Sequence, residues 1–370
     1  MNAPSSPDDT GSQPARAPER DATWIMVGAV SSGKTFFVDL VTVNPGIERE
    51  IRWAKESPYA NFNFHPVSPG TPGSESYAVR ALKSLAQNGR PPATSGKPRE
   101  HVFHVSAQLK DGRSSTPEVP DPLLTRCRVR LVDSPGANQM PNDDPSTLTP
   151  EDQEERAKLS ATAQDNAEAL LLFLPARTRK FQSQEVEHLN LTEMLRRVCK
   201  KEFRKLKRIA VLLTKYDAAF QQHGDKAEQF ARDPSQIPAV WELIDASGHL
   251  MEGISDAATA DQELSVVFFP VSSYGFIGDT GFANVLTLPD DYDNATEDLP
   301  IILRHRSSLE VGPYDVPLFP DAFSQADYDN YWKPFNLLAP LVFLAGGNPA
   351  GLLHMTLNDL AGRLQKADGP

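Results

Sequence analysis

Apolar residues fall along the chain in short blocks whose spacing alternates between two kinds. Thr23–Val27, His101–Leu109, Cys127–Val132, Ala169–Leu174, Ile209–Leu213 and Leu264–Val271 are short apolar or alternating runs, and they read as strands. Ala169–Leu174 is almost wholly apolar, as a parallel strand covered on both faces must be. Between these runs the spacing turns helical: at Thr35–Val43, along the charged stretch Pro150–Asn166, around Pro238–Ile254, and through Val186, Leu189, Met194, Leu195 and Val198 of Gln184–Phe203. Tyr331–Leu344 and Leu352–Gln365 are two further helix candidates that close the chain. Strands alternating with helices predict an α/β fold with a mostly parallel central sheet flanked by helices.

The polar stretches set the organisation. Met1–Arg20 is rich in Pro, Ser, Asp and Ala, offers almost nothing to bury, and reads as a disordered tail over residues 1–20. Residues 21–370 then form one domain with insertions at about 44–99 and 275–330. The first is a Pro-, Gly-, Ser- and Asn-rich stretch broken by a helical patch at Tyr77–Ala86; the second is acidic and loop-like over Gly275–Phe323.

Composition narrows the setting. A chain of 370 residues can bury a sizeable core without staples, and Cys127 and Cys199 show neither metal-like nor redox-like spacing. This points to a reducing, cytoplasmic compartment, and the N-terminus lacks the pattern of a signal peptide. A formal charge of −12 argues against a general nucleic-acid surface. The longest nearly apolar stretch, Phe335–Gly347, is interrupted by Pro340 and too short to span a bilayer. Trp332–Leu344 reads either as a membrane contact or as a buried helix packed on the sheet. Eight of the thirteen residues from Arg196 to Arg208 are basic, which reads either as a lipid or partner patch or as a solvated helix end. His101 and His104, three apart on a strand, point to opposite faces and do not form a metal pair.

Three motifs carry chemistry. Gly28-Ala29-Val30-Ser31-Ser32-Gly33-Lys34-Thr35 joins a strand to a helix with the spacing of a phosphate-binding loop. Its glycines let successive backbone N–H groups face phosphates, and the helix N-terminus adds its positive end. Lys34 can reach the β and γ phosphates, and the Thr35 hydroxyl can bind Mg²⁺. Asp133 ends a strand and Gly136 follows three residues later. That pair is either a plain strand-to-turn element or an acid holding a magnesium-bound water, with an N–H for a γ-phosphate. Finally, Thr214-Lys215-Tyr216-Asp217 ends another apolar strand. A carboxylate at Asp217 can accept both N1–H and N2–H₂ of guanine, which adenine cannot offer, while the Lys215 stem lies across the base.

In this order and on these elements, the three motifs resemble those of the TRAFAC-class GTPases over roughly Thr23–Ser273. Within the class, Pro91-Pro92-Ala93-Thr94 and the long insertions are similar to predicted bacterial stand-alone or "double-GTPase" proteins. The resemblance implies a P-loop fold with a long switch-I insertion and C-terminal helices. It assigns nucleotide binding to Gly28–Phe36 as a whole, Phe36 included, with Thr214, Lys215 and Asp217. It also implies that Ser272 and Ser273, after Val271, back the base through a backbone N–H. Thr94 becomes the switch-I threonine, with Thr71 as the other candidate, closing over Mg²⁺ and the γ-phosphate. Lys34, Thr94 and Gly136 would then be catalytic, and Thr35, Thr94 and Asp133 would hold Mg²⁺. Two positions depart from Ras-type relatives: Ala137 stands where a water-orienting Gln is found, and Val30 replaces a loop glycine.

The expected function is Mg²⁺-dependent hydrolysis of GTP to GDP and phosphate as a conformational switch, slow without help. The alternative is a nucleotide-binding scaffold with little hydrolysis. Expected partners are GTP and GDP, an unnamed protein effector or activator, and a second copy in a nucleotide-dependent dimer. Neither nucleic acid nor a membrane is expected.

Overall fold

The computed structural model describes residues 20–28, 32–34, 37–38, 59–66, 99–109, 127–133, 154, 165–176, 191–192, 194–261, 263–284, 332–347, 349 and 351–367. The strands are β1 Arg20–Gly28, β2 Tyr59–Pro66, β3 Arg99–Leu109, β4 Cys127–Asp133, β5 Ala167–Pro175, β6 Arg208–Thr214, β7 Ser265–Pro270, β8 Ser272–Ile277, β9 Trp332–Phe335 and β10 Met355–Thr356. The helices are α1 Ala227–Ala231, α2 Gln236–Ile244, α3 His249–Ala260, α4 Leu338–Leu344 and α5 Leu357–Ala367, with a 3-10 segment at Tyr216–Lys226.

Eight strands form one sheet in the order β10-β7-β6-β5-β1-β4-β3-β2. The neighbours from β7 through β4 run parallel, while β10, β3 and β2 join antiparallel at the flanks. This is the expected α/β fold with a mostly parallel central sheet. Alternate residues of β1 explain its central place: Ile25 and Val27 enter one apolar cluster, Trp24 and Met26 the other. The first cluster is closed by α2, α3, α5 and the helical residues 191–192 and 194–199, the second by α4 and the helical residues Phe37 and Val38. A strand that buries both faces needs the near-continuous apolar run seen in β5 and β6.

Several elements differ from the expectation. β2 lies inside the stretch read as Pro- and Asn-rich insertion, where Asn61, Asn63 and His65 interrupt any apolar run. Pro238–Ile254, read as one helix, is two, because Gly248 at φ 73° turns the chain between α2 and α3. Gly248 has no side chain to cap α3. Asp245 supplies one, its carboxylate accepting from Leu250 N at 3.2 Å and Met251 N at 2.7 Å. Within Tyr331–Leu344, read as one helix, Trp332–Phe335 form strand β9 and the chain becomes helical only at Leu338. Every residue of α4 is buried, in keeping with the core reading of that segment. The acidic stretch from Gly275 begins inside β8. Within the helix candidate Leu352–Gln365, Met355–Thr356 form β10 and the helix α5 begins only at Leu357.

Candidate functional site

Parallel strands bring their carboxyl ends to one edge of a sheet, and the crevice there is where ligands of such folds bind. Gly28 ends β1, Asp133 ends β4, Thr214 ends β6 and Pro270 ends β7, so the predicted motifs share that edge. The register places Asp133 beside Met26, two residues before Gly28 and the glycine loop. β1 lies between β4 and β5, at the point where the chain order along the sheet changes direction.

The loop after β1 is shaped by its glycines. A Cβ on Gly28 would stand 2.7 Å from Phe173 O and 2.9 Å from Ser32 Oγ, so no larger residue fits. Gly33 sits at φ +90° with open space where a side chain would be. The barrier to substitution there is the backbone conformation. The carbonyl of Gly33 accepts from Phe37 N at 2.8 Å, which starts the helix. Lys34 is 6 % exposed, and its ammonium curls back over the loop, donating to Gly28 O at 2.5 Å and reaching Ser32 Oγ at 3.4 Å. A buried ammonium folded over a glycine loop is positioned to meet an anion that enters it.

The end of β6 is tied directly to this loop. Thr214 Oγ1 donates to Ser32 O at 2.9 Å, a buried bond between residues 182 apart in sequence. Its hydroxyl therefore fixes the loop, a role not visible from the motif. Lys215 adopts left-handed φ/ψ of 54° and 32°, turning the chain sharply into the segment that holds Asp217. Asp217 is only 1 % exposed. Burial of a carboxylate costs several kcal/mol unless it is hydrogen-bonded or paired. Tyr216 N donates to Val271 O at 3.3 Å, and Val271 N to Leu213 O at 2.9 Å, which lock this turn to the end of β7. Ser272 is buried and its Oγ accepts from Gly275 N at 2.9 Å, closing the turn that also holds Ser273.

The described residues thus bring Gly28, Ser32, Gly33, Lys34, Asp133, Thr214, Lys215, Asp217, Ser272 and Ser273 to one edge. Ala29, Val30, Ser31, Thr35, Phe36, Thr94, Gly136, Ala137 and the alternative Thr71 lie outside the described residues. Residues around the turn that the motifs do not reveal are Phe335, whose ring is parallel to that of Tyr216 at 6.1 Å, and Asn336. Asn336 donates to Pro270 O at 2.8 Å and Leu353 O at 2.7 Å, anchoring the end of β7. A positive φ of 54° at Asn336 is the only local hint of this, and it is a property asparagine tolerates in many turns.

The basic run lies at the opposite end of the sheet. Arg197 pairs with Glu202 at 2.7 Å, and Lys205 donates to Asn166 at 3.1 Å beside a cavity of about 300 Å³ that Arg128, Arg130, Asp21 and Glu168 also line. Mixed charge and exposure favour the solvated reading of this run. Among the described residues no helix is long and apolar enough to cross a membrane.

No protein-family model matches the chain, and no curated protein is similar to it in sequence. Among solved structures it is similar to the S. cerevisiae Ski7 GTPase-like domain bound to GTP, with TM-score 0.36 and 14 % identity over 77 % of this chain and 48 % of that one. The same domain bound to GDP and inorganic phosphate gives TM-score 0.35 and 14 % identity over 75 % and 48 %. The chain spans about half the length of those structures, and so remote a likeness leaves the functional reading to the chain's own geometry.

Proposed function

We propose that this chain binds a guanine nucleotide at the carboxyl edge of its sheet and hydrolyses GTP to GDP and phosphate, switching conformation as it does so. The observation that carries the reading is the buried bond between Thr214 and Ser32, which builds the glycine loop and the Asp217 turn into one site. A phosphate-binding loop and a base-binding turn are useful to each other only at a fixed separation, and this bond fixes it. Gly28–Phe36 receives the phosphates, with Lys34 as the cation facing them. Asp217 accepts from guanine N1–H and N2–H₂, Lys215 covers the base, and the Ser272–Ser273 turn backs it.

Thr35, Thr94 and Asp133 offer hydroxyl and carboxylate oxygens, the hard donors that suit Mg²⁺. When bound, the metal would neutralise charge on the β and γ phosphates. Lys34, Thr94 and Gly136 are the protein groups assigned to the transferring phosphoryl group. Thr94 and the Asp133–Gly136 turn form the parts ordered by the γ-phosphate and released after hydrolysis.

A second reading, a nucleotide-binding scaffold with little hydrolysis, is favoured by one observation: a methyl at Ala137 cannot orient a water. Phosphate release at saturating GTP, measured across a range of protein concentrations, separates the two. Turnover per molecule that rises with concentration supports a hydrolase completed by a second copy; none at any concentration supports the scaffold.

A further inference from the structure

We infer that strand β9 is a positioning element for base recognition, with Phe335 as its key residue. This rests on the reading of Thr214–Asp217 as the base-binding turn. One strand of four residues touches both segments assigned to the base. Phe335 pairs with Ser272 across the β8–β9 sheet, and its ring lies parallel to Tyr216, 3° apart at 6.1 Å, next to Asp217 in sequence. Recognition of guanine by a carboxylate on one loop and a backbone N–H on another needs the two loops in register to about half an ångström. β9 is the element that both loops share.

β9 is itself held from three sides. Phe276 meets the Phe335 ring edge-on at 5.4 Å and 87°, and the Arg232 guanidinium lies 5.5 Å over it. Glu228 accepts from Lys333 Nζ at 2.7 and 2.8 Å and from Arg232 Nε at 2.7 Å, so one carboxylate gathers β9 and α1. Gly275 lets the strands close. A Cβ there would overlap Lys333 O, and its φ of +64° is one a side chain resists. An apolar plug alone would require none of this polar bracing. Phe335 touches no ligand; it acts by holding Tyr216, and with it Asp217, against the Val271–Ser273 turn.

The test is the affinity of the full chain for GTP, for inosine triphosphate and for inorganic tripolyphosphate, each measured at a temperature where circular dichroism shows the variant folded. Inosine keeps N1–H but lacks the 2-amino group, so the ratio of GTP to inosine triphosphate affinity reports the bond from that amino group to Asp217. Wild-type protein should favour GTP by about tenfold or more, the scale of one hydrogen bond to a charged group. Phe335→Leu keeps apolar bulk without a flat ring and should bring that ratio close to one, with tripolyphosphate affinity unchanged. A folded Phe335→Leu variant with the wild-type ratio, or with equal losses for all three ligands, overturns the inference. If Phe335→Leu does not fold, Lys333→Met decides by the same ratio: a fall supports the inference and an unchanged ratio overturns it. Wild-type protein that does not prefer GTP over inosine triphosphate overturns the base-binding reading, and the role of β9 with it, before any variant is made.

Discussion

The Thr214 hydroxyl and the Ser32 carbonyl meet at 2.9 Å in the interior, joining the end of β6 to the glycine loop after β1. Both ends belong to motifs that the sequence displays, and the bond holds the two motifs side by side. Thr214→Val keeps the shape and removes the hydroxyl from which the buried Ser32 carbonyl accepts, at a cost of about 1–3 kcal/mol. Denaturant unfolding should show that loss, and nucleotide affinity should fall with it. Thr214→Ser should retain most of both.

Gly28→Ala should be far more damaging than its size suggests. The added methyl would press on the Phe173 carbonyl at 2.7 Å, in a strand that cannot retreat because β6 and β1 pair on either side of it. Overpacking of this kind costs about 1–3 kcal/mol. Thermal unfolding should register it, and phosphate binding should fail even in folded protein, because Ser32 and Lys34 are displaced.

Which parts were legible depends on how local their causes are. β1, β3, β4, β5, β6 and β7 were readable because burial on a sheet demands apolar runs. The glycine loop after β1 and the turn at Thr214–Asp217 were readable as backbone features, because close backbone approach and a sharp exit from a strand are local demands. β9 was not, since Trp332–Phe335 runs on into the apolar stretch Leu337–Leu344 and mostly apolar runs do not distinguish strand from helix. β2, an edge strand, carries Asn61, Asn63 and His65, which hide its alternation. The α2–α3 break was signalled by Asp245-Ala246-Ser247-Gly248, a stop and cap that apolar spacing overrode. The Thr214–Ser32 bond and the Tyr216–Phe335 pairing are tertiary facts with no sequence signature.

Asp245→Ala should cost about 1–2 kcal/mol, the scale of a lost helix cap, because it releases the Leu250 and Met251 amides of α3. Hydrogen exchange should rise first at the start of α3. Nucleotide affinity should hold, since α3 packs through Leu250, Ile254 and Ala257 on the face of the sheet and supplies none of the residues assigned to the nucleotide.

Tyr216 yields a prediction about pH. Its hydroxyl is buried with no hydrogen-bond partner among the described residues, and its pKa is pushed above the ordinary 10.0, first by burial and then by the negative charge of Asp233. The unfolded chain therefore gives up this proton first as pH rises. Above pH 10.0 the unfolded state binds fewer protons than the folded one, and stability falls by up to about 1.4 kcal/mol per pH unit. Below that pH the phenol contributes no slope. Tyr216→Phe should remove this part of the alkaline loss and leave stability at neutral pH equal or higher, because no hydrogen bond is sacrificed. Urea unfolding of both proteins at neutral pH and above pH 10.0 checks the sign.

The central claim, that Asp217 and the glycine loop form one guanine-nucleotide site, is tested most directly by competition binding of GTP, ATP and xanthosine triphosphate to wild-type protein and to Asp217→Asn. The carboxylate should give the wild type a clear preference for GTP over ATP. The amide variant should lose GTP affinity by about tenfold or more and gain relative affinity for xanthosine triphosphate, whose 2-oxo group accepts from an amide. Wild-type protein that binds ATP as tightly as GTP, or an Asp217→Asn variant that keeps the wild-type order of affinities, would contradict the account.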